Sequence, residues 1–534
     1  EQQDALQRSG EMVFIEASAG TGKTTVIVEK IKRFVEERLA KGDPSHRAVE
    51  RFAAISFTEK SAQELKTRVS QSLMQAMGPR VAAQALRQIS TIHGFCRKIL
   101  SDFPVEAGIS PLAGLLDERE AEALRSEAFE EFFLQVPAAA KSSMDALFAL
   151  YSRVKIEGFL RKFLSVRLLV EGDLSLYRKW FAGEIELPGE LVVPGAEKDA
   201  LAHVILLADH FEAVYTKLKK EKDVLDFNDL EALSLKVLKV PEVQRHYRER
   251  YSLLLVDEFQ DTNSVQREIL ACLAQENWKN LFVVGDAKQS IYRFRAADVS
   301  VFQSLRQQAE KGGQLVTLFR NYRSRQELVS AANLVSASIF PAPGAPAKDF
   351  EAVAAEAMAF RPEGGRVALV EYGDPETKMS AGDRRAAEAE LLVETVREQL
   401  ARGRSPGDIA VLMRKMSGNE VYLQALTHAG IPFRVGSSRG FYAQSVILDA
   451  LALLRALYSA SNDMALLAVL RSPWGRFTDD QILSLQRRAE AKAALWDCLR
   501  EEEAPLLFAW RKRSTFLSFS ELLSEAYLHY PLGR

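Results

Sequence analysis

A chain of 534 residues, 47% of them apolar, holds material for several hydrophobic cores, yet no uninterrupted apolar run approaches the roughly 20 residues of a membrane span. Its 70 basic and 72 acidic residues leave a formal charge of −2, which argues against a uniformly basic nucleic-acid coat while allowing a locally positive groove. Cys96, Cys272 and Cys498 lie far apart and the seven His are scattered, so neither a disulfide framework nor a zinc or iron–sulfur site is indicated, and with no secretory leader the expected compartment is the cytoplasm.

From the N-terminus, the apolar run Met12 to Ile15 leads into EASAGTGKTT at residues 16–25 and then into Val26, Ile27 and Val28. This reads as a strand, a Gly-rich turn and a helix starting near Lys23. The usual phosphate-loop pattern begins with Gly; here that place is Ala17, followed by Ser18, Ala19, Gly20, Thr21, Gly22, Lys23, Thr24 and Thr25. Gly20 and Gly22 let the main chain approach a ligand, and its N–H groups with the positive helix end suit a polyphosphate. Lys23 offers a point charge to the β and γ phosphates, and Thr24 a hydroxyl ligand for Mg²⁺. Alone, the loop also fits a Gly-rich helix start in some other α/β protein.

RFAAISFT at 51–58 reads as the next strand, followed by a helix carrying Lys60, Glu64 and Arg68 on one face. STIHGFC follows at 90–96, and residues 114–240 run at helical spacing with breaks at Pro188, Gly189, Pro194 and Gly195, a helical insertion in an α/β domain. Leu253 to Val256 has the length of a buried parallel strand and ends in Asp257 and Glu258. At the carboxyl edge of a sheet Asp257 can hold Mg²⁺ while Glu258 orients and deprotonates an attacking water. An acidic pair after a strand is also a common cap or solvated turn; the phosphate loop upstream favours ATP hydrolysis. Leu281 to Val284 is a further strand, opening VVGDAKQSIYRFRAADVSVF at 283–302.

FPAPGAPAK at 340–348 breaks the composition before a second α/β stretch, with GRVALVEY and DIAVLMR (408–414) as strands around a helix, and with its start near QLVTLFRNYRS at 314–324. From Val446 the pattern is helical to Arg534. The expected organisation is a first core at 1–100 and 225–313, a helical insertion at 101–224, a second core at 314–445, and the start of a second helical insertion at 446–534.

In this order EASAGTGKT, SFTEKSAQELKTRV, STIHGFC, SLLLVDEFQDTN, GDAKQSIYRFR and LFRNYRS resemble the superfamily 1 helicases of the UvrD and Rep type. Among these the chain is most similar to the helicase subunits of the AddA and RecB recombination nucleases, through the RecB-like loop EASAGTGKT and the AddA-like VLDFNDLE and GDAKQSIYRFR. The match is collinear from Gln2 to around Gly475. The resemblance implies an α/β protein with two RecA-like parallel-sheet P-loop domains, each carrying a helical insertion. It implies ATP and Mg²⁺ as cofactors, single-stranded and duplex DNA as partners, 3′ to 5′ movement in double-strand break repair and recombination, a partner subunit in a nuclease complex, and no membrane.

Residue by residue, the resemblance implies Gln2 on the adenine edge, Tyr322 stacked on adenine, Gln289 sensing the γ-phosphate and Arg323 as an arginine finger. A planar cation meets phosphate in a fork and suits charge growing in the transition state. Thr58, Thr91, His93 and Phe95 fall in segments that touch single-stranded DNA in the family. Phe294 takes the position of an aromatic platform, usually Trp in the UvrD branch, with Tyr292 and Arg295 as helpers. Stacking there is worth roughly 1 to 3 kcal/mol whatever the base. A core position stays open for His93 and Phe294, as does a solvated terminus for Gln2.

Two further family motifs, HxxKG and YVAxTR, have no counterpart here, and no cluster resembles the family's nuclease. With no initiating Met and an abrupt HYPLGR ending, the chain is expected to be an N-terminal fragment whose second core is incomplete. The alternatives are a module that holds ATP or single-stranded DNA without turnover, another P-loop enzyme, and a UvrD-type repair helicase without a nuclease partner.

Overall fold

The computed structural model describes residues 2–8, 12–167, 198–292, 297–312, 314–339, 358–361, 364–369, 379–415, 418–436, 444–489 and 494–529. The chain divides into two compact units, Glu1–Leu369 and Val370–Arg534. The first is built on six strands: β1 (Val13–Ala17), β2 (Phe52–Ser56), β3 (Ile89–Thr91), β4 (Leu253–Val256), β5 (Leu281–Gly285) and β6 (Leu315–Leu318). All pairings are parallel, in the order β3-β2-β4-β5-β1-β6.

Successive side chains of a strand point to opposite faces, so a strand covered on both sides is apolar throughout. Phe14, Ile55, Leu254, Val256 and Val283 enter one cluster, with Phe95, Ile99, Leu230, Tyr247, Ile269 and Phe302 from the helices above. Their neighbours Ile15, Phe52, Ala54, Leu255 and Phe282 enter another, with Ile27, Ile31, Leu65 and Val69 from the helices Lys23–Ala40 and Glu59–Met77. Polar caps set where these helices begin. Thr58 caps Glu59–Met77, and Asp226 and Asn263 form capping boxes at Phe227–Leu238 and Ser264–Leu273.

The helical insertion leaves and returns through a short parallel pair, Gly114–Leu115 with Val224–Leu225. Helices Glu118–Leu134, Ala138–Leu150, Arg153–Arg167 and Lys198–Glu221 carry it, with Phe129 stacked on Phe211 at 4.0 Å in its core. Leu100 and Ala107 pack with the sheet's own cluster. The buried Lys219 ties it to the sheet domain through Asp226 (3.3 Å) and Asp229 (2.6 Å).

One strand differs from expectation. Leu315–Leu318, assigned above to the second core, pairs in register with β1 as the edge of the first sheet, where Val316 and Leu318 are buried. The next residues form β7 (Arg320–Arg325), which pairs parallel with β8 (Met358–Arg361) as a separate two-stranded sheet.

In the second unit Val393 and Val396 of helix Ala381–Ala401 pack with Leu426 and Ile431. DIAVLMR and the described part of GRVALVEY, expected as strands, form no ladder among the described residues, and Leu412 is 95% exposed. An extended apolar segment becomes a strand only against a neighbour that takes its backbone hydrogen bonds. From Ser445 onward the described residues are mainly helical, as expected, around Leu453, Leu466, Leu470, Trp474 and Trp510. Among the described residues no helix is long and apolar enough to cross a membrane.

Candidate active site

Five loops at the carboxyl ends of neighbouring strands carry the candidate residues, the edge at which open parallel sheets bind ligands. After β1 the chain turns through Gly20 (φ 77°) and Gly22 (φ 91°) into the helix starting at Lys23. Both glycines are required twice over. Their backbone is left-handed, and an added Cβ would lie 2.9 Å from Arg323 Cβ at Gly20 and 2.6 Å from Gln2 Nε2 at Gly22. Thr21 is buried and its hydroxyl donates to Ser18 O (2.8 Å), while Gln2 Nε2 donates to Thr21 O (2.8 Å). Gln2 is thus fastened to the loop. Ala17, at the departure from the usual pattern, is a fully buried strand residue.

A cleft of about 620 Å³, within the usual range of ligand sites, is lined by Ala19, Gly20, Gly22, Lys23, Thr24, Thr25, Glu258, Gln289, Tyr322 and Arg323. Glu64 and Arg68 also line it; the sequence marked them only as one helix face. Around Lys23 the side chains close a hydrogen-bonded ring. Lys23 Nζ donates to Glu258 Oε2 (3.2 Å) and Gln289 Oε1 (3.3 Å). Gln289 Nε2 donates to Asp286 Oδ2 (2.7 Å), Asp286 N donates to Gln260 Oε1 (2.9 Å), and Gln260 Nε2 donates back to Glu258 Oε2 (2.8 Å). Gln260 was missed by the sequence reading; its amide, inside DEFQDTN, is fully buried. A Cβ at Gly285 would come within 2.7 Å of its Oε1, which accounts for that glycine.

Glu258 holds a left-handed backbone (φ 54°), which costs a residue with a side chain about 1–3 kcal/mol and persists only where its surroundings enforce it. Asp257 Oδ1 accepts from Glu258 N (3.0 Å). Burial, then the adjacent Glu258 charge, push the Asp257 carboxyl up to about 7 against the pull of Lys23. Burial and Glu258 push Asp261 up to about 7 as well. Three carboxyls crowd one ammonium, so the site has room for more positive charge. The hard oxygens of Asp257 and the Thr24 hydroxyl are of the kind Mg²⁺ takes. Among the described residues no three His, Cys, Asp or Glu come together as a metal cage.

The arm bearing Tyr322 and Arg323 belongs to the two-stranded sheet and is locked to the phosphate loop. Tyr322 N donates to Gly20 O (2.9 Å) and Asn321 Nδ2 to Ala19 O (2.7 Å). Asn321 Oδ1 accepts from Arg323 N (2.9 Å) and Ser324 N (2.7 Å). Asn321 is a second residue the sequence reading missed, a local turn-former whose amide also reaches across to the loop.

The residues assigned to DNA divide. Phe95 is 4% exposed and packs on Tyr247 (6.4 Å) and Tyr251 (5.8 Å), so its assignment to a DNA surface is corrected to the core. Thr91 is buried and its hydroxyl is committed, donating to Glu59 Oε1 (3.0 Å) and accepting from Gly94 N (3.1 Å). Thr58 caps its helix through Ser61 N (3.0 Å). These hydroxyls aim two helix N-termini at the sheet's carboxyl edge. His93 is partly exposed and paired with Glu231 at 2.9 Å. Tyr292 lies 5.0 Å from Phe57, an aromatic neighbour the sequence reading passed over. Phe294 and Arg295 fall outside the described residues.

Comparison with known proteins identifies the family. The family model for the UvrD/REP helicase N-terminal domain matches residues 1–310, and that for the UvrD-like helicase C-terminal domain matches residues 316–507. The AddA-type ATP-dependent helicase/nuclease protein of Bacillus pumilus is 24% identical over 99% of this chain and 57% of its own length. Its counterparts from Geobacillus thermodenitrificans (25%, covering 94% and 54%) and Pelotomaculum thermopropionicum (26%, covering 89% and 53%) are similar in the same way. The chain therefore spans just over half the length of these relatives.

Proposed function

The chain belongs to the UvrD/Rep helicase family, and from that premise we propose that it is an ATP-hydrolysing motor on single-stranded DNA, acting in double-strand break repair and recombination as part of a helicase–nuclease. Its direction is 3′ to 5′ by family resemblance, its cofactor with ATP is Mg²⁺, and its partners are DNA and a second subunit of the nuclease complex. The observation that carries this reading is the shared cleft, which brings Lys23, Glu258 and Gln289 of one sheet together with Arg323 of another.

The roles follow from the geometry. The loop amides and Lys23 bind the triphosphate, which draws Lys23 away from Glu258 and Gln289. Thr24 and Asp257 would hold Mg²⁺, which when bound neutralises phosphate charge. Glu258, its carboxylate held by Gln260, takes the proton of the attacking water, and Gln289 answers to the γ-phosphate. Arg323 stabilises the charge that develops as the phosphoryl group leaves. Because Gln289 and Tyr292 follow the same strand β5, a change at the phosphate is carried a few residues along the chain to the aromatic pair Tyr292–Phe57. The test is ATP turnover with and without oligothymidylate. DNA-stimulated hydrolysis that disappears in Glu258→Gln supports the motor; nucleotide binding without turnover, or turnover indifferent to DNA, contradicts it.

A further inference from the structure

Glu231, in the segment VLDFNDLE, is a carboxylate with a side chain 5% exposed, lying away from the nucleotide cleft. Three donors converge on it. Its Oε1 accepts from His93 Nε2 (2.9 Å) and Gln266 Nε2 (2.7 Å), and its Oε2 from Asn263 Nδ2 (3.0 Å). Burial by itself would raise its pKa, but the bonds from His93, Gln266 and Asn263 outweigh it and hold the group below the usual Glu value. The amides cannot turn away. Asn263 Oδ1 caps the Ser264–Leu273 helix by accepting from Gln266 N (2.7 Å), and Gln266 Oε1 accepts from Asn263 N (3.3 Å). Both NH₂ groups are thereby committed to Glu231.

On the other side stands His93, whose ring packs edge-on against Phe227 at 5.0 Å. With Nε2 held by Glu231 and one flank held by Phe227, the imidazole keeps a single orientation, and Nδ1 is the polar atom left for a ligand. His93 sits in the first turn of the Ile92–Asp102 helix, at the carboxyl edge of β3. Asn263 opens the helix that follows the Asp257–Glu258 loop. One buried carboxylate therefore anchors both the surface histidine and the element next to the catalytic acid.

We propose that Glu231 is a positioning residue for DNA: its carboxylate holds Nε2–H of His93 as the imidazolium, so that Nδ1–H donates to a backbone phosphate of the single strand, and it ties that contact to the helix behind Glu258. The inference rests on the reading of the chain as a DNA-dependent ATPase. Glu231→Gln puts an amide NH₂ against donors that have no alternative acceptor.

The experiment measures, for the 534-residue chain, the binding of labelled oligothymidylate by anisotropy and the oligothymidylate concentration that half-saturates ATP turnover. Glu231→Gln and His93→Ala each weaken binding about ten-fold, the loss of one hydrogen bond to a charged group, and the double variant is no weaker than either single one. The KM for ATP stays within about two-fold of wild type, which a general loss of structure would not allow. Phe227→Ala removes a ring already 42% exposed, is compatible with folding, and weakens DNA binding about three-fold by freeing the imidazole. DNA binding unaltered in Glu231→Gln and Phe227→Ala, or losses that multiply in the double variant, would overturn the proposal while leaving the motor intact. A wild-type chain without affinity for oligothymidylate would remove the motor reading and this inference together.

Discussion

Asp257→Asn should make the nucleotide-free protein more stable while abolishing turnover. The carboxyl is pushed from an ordinary 3.8 up to about 7 by burial and by Glu258, with Lys23 pulling the other way and Glu64 adding to the rise. A raised folded-state pKa means that the folded chain binds the proton more tightly than the unfolded chain, so stability is greatest at low pH and is lost as pH rises toward 7. At pH 8 the ionised group costs about 4 kcal/mol, and at pH 5, where only the unfolded chain is ionised, about 2 kcal/mol, from the free energy of a pKa unit. The neutral amide removes this titration. The variant should therefore gain more stability at pH 8 than at pH 5, by about 2 kcal/mol at this one site, visible as a higher urea midpoint. Mg²⁺ with nucleotide should narrow the gap, because a cation beside the carboxylate offsets the desolvation. A variant no more stable than wild type at pH 8, or equally stabilised at both pH values, would refute the reasoning.

Other substitutions probe the remaining contacts. Gly22→Ala meets both a φ of 91° and a 2.6 Å contact with Gln2, and should reduce nucleotide affinity at least about ten-fold by fluorescent-ADP titration, whereas Gly42→Ala, at φ 89° in open space, should cost about 1–2 kcal/mol of stability and leave affinity intact. Asn321→Ala removes the link to Ala19 O and the bonds that hold the Arg323 and Ser324 backbone, leaving Tyr322 N on Gly20 O, and should lower turnover about ten- to hundred-fold, with ADP affinity changed far less. Lys219→Met leaves Asp226 and Asp229 facing each other without their buried cation and should destabilise the insertion by about 3–5 kcal/mol, seen as early loss of its helices in hydrogen exchange.

Much of the first core was legible because its signals are local. Leu253 to Val256 is apolar throughout since both faces of a parallel strand are covered, and the two acids after it mark the strand's end. The Gly20 and Gly22 turn is read from residue types that alone tolerate its backbone. What failed depended on partners far along the chain. Leu315–Leu318 looks the same as the first strand of a second sheet or the last of the first, and only its register with β1 decides. DIAVLMR carries strand composition but lies unpaired among the described residues. Phe95 sits two residues from His93 in one helix turn, and the motif gives no sign that the ring turns inward while the imidazole turns out. Asn321, Gln260 and Glu231 were overlooked because their role is to hold other side chains, which no periodicity records.

The most direct measurement is single-turnover ATP hydrolysis on oligothymidylate by wild type and Arg323→Ala, with ATP binding followed in parallel. An arginine that stabilises the transition state from a second sheet predicts a rate lowered at least about 10³-fold with ATP binding nearly retained. A variant that hydrolyses ATP at the wild-type rate would show that the cleft does not use both sheets, and the motor would lose its basis.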